Sequence, residues 1–190
     1  MFTSYSVVSG DNNAWMLNKG ATAATGTTPV AKANSICAND QNNPNDGGIF
    51  KAWLSDSGMN ARDNIGYNNL LSYTANWNYN LPIAPTGTLL SGNLVNAIND
   101  PRSGSPGAGV KAATNVDGTF TGLDNFASCN NWTSLSNTTP SSGAGAKANW
   151  GRQAFTNGNW TAYIYGDGGS FNSSCGATYA RPVYCFESQS

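Results

Sequence analysis

The stretch Ser128–Ser134, SCNNWTS, sets a cysteine, two asparagines, a tryptophan and two more hydroxyl residues side by side. A cysteine in such company is a staple, part of a sugar-binding edge or part of an active site. The rest of the chain decides among these. It holds four cysteines, Cys37, Cys129, Cys175 and Cys185, with no Cys-x-x-Cys spacing, and it has no histidine, which leaves zinc few ligands. An even number of dispersed cysteines reads as two disulfides and so as an oxidising, extracellular setting. Free buried thiols are the alternative, and a bridge at Cys129 would make it a staple. Trp132, three residues on, reads as a core indole against that bridge, with an exposed ligand platform as the alternative. Asn130 and Asn131 fit a core less well and are candidate ligand contacts.

At 190 residues the chain suits a single domain spanning 1–190. Charged residues make up 10% of it, against about 25% in ordinary globular domains. Asn, Gly, Ser and Thr fill the deficit, so the surface is polar but uncharged. Such a surface suits hydroxyl-rich ligands, which take amide and hydroxyl hydrogen bonds and stack on ring faces. A net charge of −1 argues against nucleic acid, where phosphate neutralisation supplies much of the affinity. The uncharged run Ile65–Gly87 is broken throughout by Asn, Pro and Gly, which argues against a membrane span and against membrane insertion. The N-terminal MFTSYSVVSGDNN lacks the basic and apolar regions of a signal peptide, so the chain reads either as cytosolic or as a piece of a longer protein, and the dispersed cysteines favour the second, exported reading.

The pattern is mixed α and β, without internal repeats. Phe2–Val8 alternates as a strand. Thr28 as N-cap and Pro29 at the first helical position open a helix that buries Val30, Ala33, Ile36 and Cys37. Ile49–Ser55 reads as a central strand used on both faces. Thr88–Pro101, TLLSGNLVNAINDP, spaces Leu90, Leu94, Val95 and Ile98 as a second helix ending at Asp100-Pro101. Short strands are expected in Gly118–Leu123, Trp160–Gly166 and Arg181–Glu187, and a long loop over 136–148.

Four segments in fixed order carry a family resemblance: ANSICANDQNNP around Cys37, GGIFKAWLSD, GTFTGLDNFASCNNWTS and the closing SCGATYARPVYCFE. Together they span about residues 30 to 187. The chain resembles the bacterial endostatin-like, C-type-lectin-like surface domains of leptospiral endostatin-like outer-membrane proteins and related adhesins. That resemblance implies an α+β, C-type-lectin-like (endostatin-like) fold with two helices, a small mixed or antiparallel sheet and a long loop region. It also implies the bridges Cys37–Cys185 and Cys129–Cys175. The chain departs from the family at NVDGTFTG, where a tryptophan commonly precedes the Thr-Gly pair. It also lacks the Glu-Pro-Asn or Gln-Pro-Asp triplet of calcium-dependent lectins. Without His or a clustered basic patch, neither a zinc site nor heparin binding is expected.

Trp160, Tyr163 and Tyr165 fall on a strand pattern that divides them between two faces, one for the core and one able to stack on a sugar. Asp167 and Asn172, in the glycine-rich turn GDGGSFNSS, would orient hydroxyls at the rim of such a site. Catalysis is poorly supplied, with no His, a single Glu and nine scattered Asp. The expected function is therefore extracellular recognition or adhesion: a domain at the C-terminal tip of a longer surface protein or fibre, binding a glycan or a cell-surface molecule of host or prey. Neither cofactor nor metal is expected, and a homotrimer would suit a fibre tip. The alternative is a protein-binding adhesin for extracellular-matrix or complement-regulatory proteins, and a glycan-active enzyme is third.

Overall fold

The computed structural model describes residues 1–17, 22–78, 80–104, 109–122, 128–134, 150–162, 175 and 180–188. Its organising element is a three-stranded antiparallel sheet in the order β1 (Phe2–Thr3), β9 (Tyr184–Glu187), β4 (Phe50–Ala52). Side chains alternate across these strands, and the sheet separates two apolar clusters accordingly. Met1, Trp53, Tyr184 and Phe186 face one cluster, and Phe2, Phe50, Ala52, Leu54, Val183 and Cys185 face the other. The double-sided use of Ile49–Ser55 expected from its sequence is thus seen from Phe50 onward. Its central position is not: β9 is the middle strand and β4 lies at the edge.

Helix α1 (Pro29–Asn39) packs across β4 and supplies Val30, Ala33, Ile36 and Cys37 to the second cluster. Thr28 caps it, its hydroxyl accepting from Ala31 N at 3.1 Å. Asn34 on α1 and Asn64 on the one-turn helix α2 (Ala61–Asn64) close the outer edge of β4. Asn34 Oδ1 accepts from Ala52 N at 2.9 Å, and Asn64 Nδ2 donates to Ala52 O at 2.8 Å and to Asn34 Oδ1 at 2.9 Å. Two amide side chains thereby take the place of a fourth strand, which protects an edge otherwise open to pairing with another chain.

The remaining strands form two-stranded antiparallel pairs: β2 (Met16–Leu17) with β3 (Thr22–Ala23), β5 (Tyr73–Thr74) with β6 (Pro82–Ala84), and β7 (Gly109–Lys111) with β8 (Trp150–Arg152). The described architecture is therefore α+β, with one full helix, two one-turn helices and small antiparallel sheets. Cys37 is bonded to Cys185 and Cys129 to Cys175, at Cα separations of 5.6 Å each. These are the pairs that the resemblance implies. The first ties α1 to the central strand, and among the described residues no cysteine is free.

Three expected elements take other forms. Thr88–Pro101 does not form a second helix, because Gly92 adopts φ +79° and ends a 3₁₀ turn over Leu89–Ser91. Beyond it the backbone donors turn to other segments, Leu94 N to Thr156 O and Val95 N to Ile83 O. Leu94 and Ile98 still reach the core, whereas Val95 is 56% exposed. The Gly118–Leu123 segment makes a single bridge, Thr114 to Phe120, around a tight turn instead of a strand. Phe2–Val8 is a strand only at Phe2–Thr3, and Val8 meets Arg181 in an isolated bridge.

Candidate functional site

The SCNNWTS stretch folds as one turn of left-handed helix, α3 (Cys129–Trp132). All four residues have positive φ, 52° at Cys129, 52° at Asn130, 57° at Asn131 and 62° at Trp132. Trp132 N donates to Ser128 O at 2.7 Å and Thr133 N to Cys129 O at 3.1 Å, the spacing of a helical turn. The left-handed region costs an L-residue roughly 1–2 kcal/mol, least for asparagine, so the pair Asn130-Asn131 is suited to the middle of the turn. Cys129 and Trp132 are held there by their surroundings. The disulfide fixes Cys129, and Trp132 is fully buried, its Nε1 donating to Ser55 O at 2.8 Å and its ring 5.6 Å from that of Trp15. Asn12 Nδ2 donates to Trp132 O, and Asn131 Oδ1 accepts from Ser57 N at 2.8 Å.

The turn is therefore an anchor, and Trp132 is not a ligand platform. The same holds for Trp160. It lies in a 3₁₀ turn, Gly158–Trp160, instead of the expected strand, and is fully buried among Trp53 (5.3 Å between ring centroids), Tyr184 (5.7 Å) and Phe186 (6.4 Å). Both indoles serve as core because the charge-poor interior is built on aromatic area. Asn130 is exposed at the surface of α3, and Asn131 is half-buried by its bond to Ser57. Tyr163, Tyr165, Asp167 and Asn172, and the loop 136–148, lie outside the described residues.

All six tryptophans are described, and their exposure divides them. Trp15, Trp53, Trp132 and Trp160 are buried; Trp77 and Trp150 are only partly so. Each of these two has an arginine beside its ring, Arg102 at 6.0 Å from the Trp77 centroid and Arg152 at 5.3 Å from that of Trp150. Trp150 lies on β8 against Gly109, at which a Cβ would come within 2.4 Å of the indole.

The Trp77 corner has the more complete geometry. Trp77 follows β5 on the excursion 64–99, a run of sequence without a single charged residue. Arg102 is pinned next to it. Its Nε donates to Asp100 Oδ1 at 3.1 Å and its Nη2 to Asp100 Oδ2 at 3.0 Å and Asn76 Oδ1 at 2.6 Å. The Asp100 side chain is fully buried and also accepts from Thr3 N at 3.3 Å, whereas that of Arg102 is 38% exposed. Asn76 is fixed in turn, its N donating to Met1 O at 2.9 Å and its Nδ2 to Asn42 O at 3.2 Å. The Met1 amine in the same corner donates to Thr74 O; burial pushes it down to about 6, against the attraction of Glu187, Asp46 and Asp100. Elsewhere on the same charge-free run, Leu70 is 84% exposed and Val95 56%.

The sequence reading did not single out Trp77 or Arg102. Local chemistry offered no distinguishing signal: Trp77 stands between Asn76 and Asn78, but the buried Trp132 and Trp160 also have Asn and Thr as neighbours. Among the described residues no group of three or more His, Cys, Asp or Glu is placed to hold a metal, and no helix is long and apolar enough to cross a membrane. The chain matches no protein-family model and no curated protein.

Proposed function

We propose that the protein is an extracellular recognition or adhesion module of the C-type-lectin-like, endostatin-like kind, binding a glycan or cell-surface ligand without calcium. The observation that carries this reading is the Trp77 corner: a half-buried indole, in a charge-free run of sequence rich in amides and hydroxyls, beside a pinned, part-exposed arginine whose charge Asp100 balances. That combination supplies a stacking face and directional donors, which polyhydroxyl ligands need, and lacks the charge that polyanions need. The two disulfides accord with an oxidising compartment. The order of the four family-like segments supports the endostatin-like part of the reading, in which the chain is the tip of a longer surface protein or fibre and a homotrimer would be favoured.

A screen of the oxidised chain against an array of neutral and acidic glycans, with and without EDTA, tests the reading. Saturable binding that survives EDTA is expected. A blank array together with saturable binding to immobilised matrix or complement-regulatory proteins replaces it with the protein-binding alternative.

A further inference from the structure

We propose that Trp77 and Arg102 form a binding subsite for a neutral pyranose ring, one that discriminates against acidic sugars. This deepens the recognition reading above and rests on it. The argument turns on the charge state of the arginine. Arg102 spends Nε and Nη2 on both oxygens of Asp100, and Nη2 again on Asn76, so the guanidinium is held in one plane and Nη1 stays outside the network. A fixed fork with a spare nitrogen presents directional N–H donors at little entropic cost. Asp100, buried beneath it, balances its charge, no charged residue occurs in sequence between Asp63 and Asp100, and the acids Glu187 and Asp46 act on the Met1 amine of the same corner. An anionic ligand would meet a pair with no net charge and a carboxylate directly behind it. A hydroxyl oxygen accepts from Nη1 without that penalty.

The ring supplies the second contact. Trp77 packs against both core clusters on its inner side, which fixes its orientation. Arg102 Cζ lies over the indole, 6.0 Å from its centroid, so the guanidinium and the ring bound the subsite together. In the proposed subsite the apolar C–H face of a pyranose stacks on the part of the ring left exposed, and Asn78, exposed on the same turn, adds an amide at the rim.

The test follows the six indole N–H signals by NMR, with Trp77 assigned from a Trp77→Leu variant. Methyl glucoside, methyl galactoside, methyl mannoside, N-acetylglucosamine and N-acetylneuraminic acid are the probes. The Trp77 signal is expected to shift with at least one neutral pyranoside, with an affinity that changes less than twofold between 0.05 and 0.5 M NaCl, and to stay still with N-acetylneuraminic acid. Arg102→Lys, which keeps a cation beside Asp100 but removes the outward fork, is expected to weaken binding at least tenfold with its melting transition retained. Array binding that is unchanged in Trp77→Leu and Arg102→Lys would overturn this subsite while leaving the recognition reading intact. A Trp77 shift with N-acetylneuraminic acid alone would overturn the neutral-ligand assignment. No shift with any probe, together with a blank array, would overturn both.

Discussion

Trp132 Nε1 donates to Ser55 O at 2.8 Å, joining the left-handed turn α3 to the residue just beyond β4 across 77 positions of sequence. Through this one bond, the disulfide at Cys129 and the contact with Trp15, the segment after the sheet's edge strand is fastened to the left-handed turn and to the N-terminal segment. Trp132→Phe removes the donor and leaves a buried carbonyl unpaired, so a loss of about 1–3 kcal/mol in urea unfolding is expected. Trp132→Ala adds a cavity and is expected to cost about 3–5 kcal/mol. An effect below half a kcal/mol for either variant would contradict the anchoring role.

The bridges close loops of different length, with sequence separations of 148 and 46. Chain entropy assigns them on the order of 5 and 4 kcal/mol as upper figures. Removing Cys37–Cys185 by paired alanine substitution also loosens α1 from the central strand, so it is expected to lower the melting temperature more than removing Cys129–Cys175. Calorimetry of the two double variants checks the order.

Asn34 and Asn64 stand in for a strand along β4. Asn34→Leu leaves Ala52 N without its acceptor and strips Asn64 of its two bonds to Asn34, leaving Asn64 its Nδ2 bond to Ala52 O, and a destabilisation of about 1–3 kcal/mol is expected. Increased self-association, measured by light scattering, is expected alongside it because the edge is opened. A variant as stable and as monodisperse as the parent would show that the edge needs no cover.

Lys111 on β7 is 1% exposed, and burial, with the nearby Arg181 acting in the same direction, brings its amine down from 10.5 to about 7. The folded state therefore binds fewer protons than the unfolded chain between these values, and stability rises with pH across that window. Below about pH 7 both states are protonated and the full cost of the buried charge applies. Urea unfolding from pH 7 to about 9.5, below the tyrosine range, is expected to show this rise. Lys111→Met is expected to flatten it and to stabilise the protein at pH 7. An identical pH profile in the variant would assign the dependence to another group.

The parts of the fold written in local chemistry were legible in the sequence. Thr28 and Pro29 mark the start of α1 because capping and a proline at the first turn act within a few residues. The alternation from Phe50 to Leu54 is shared between two clusters because strand geometry admits no other division. What escaped was set by distant partners. The apolar spacing of Thr88–Pro101 is helical, but Gly92 and the acceptors Ile83 O and Thr156 O draw the backbone elsewhere. The left-handed turn at SCNNWTS is visible only in its asparagines, since the disulfide and the Ser55 contact that hold it are long-range. At the candidate site the same limit applied. Tryptophan count says nothing of which indoles are spent on the core, and burial took Trp132 and Trp160 while leaving part of Trp77 exposed.

The most direct test of the recognition reading is one glycan array probed in parallel with the oxidised wild type, Trp77→Leu and Trp132→Phe, all in EDTA. The account predicts saturable binding to neutral glycans by the wild type and by Trp132→Phe, whose altered ring is buried, and at least tenfold weaker binding by Trp77→Leu. No glycan bound by any of the three, or binding lost in Trp132→Phe and kept in Trp77→Leu at equal foldedness, would contradict it.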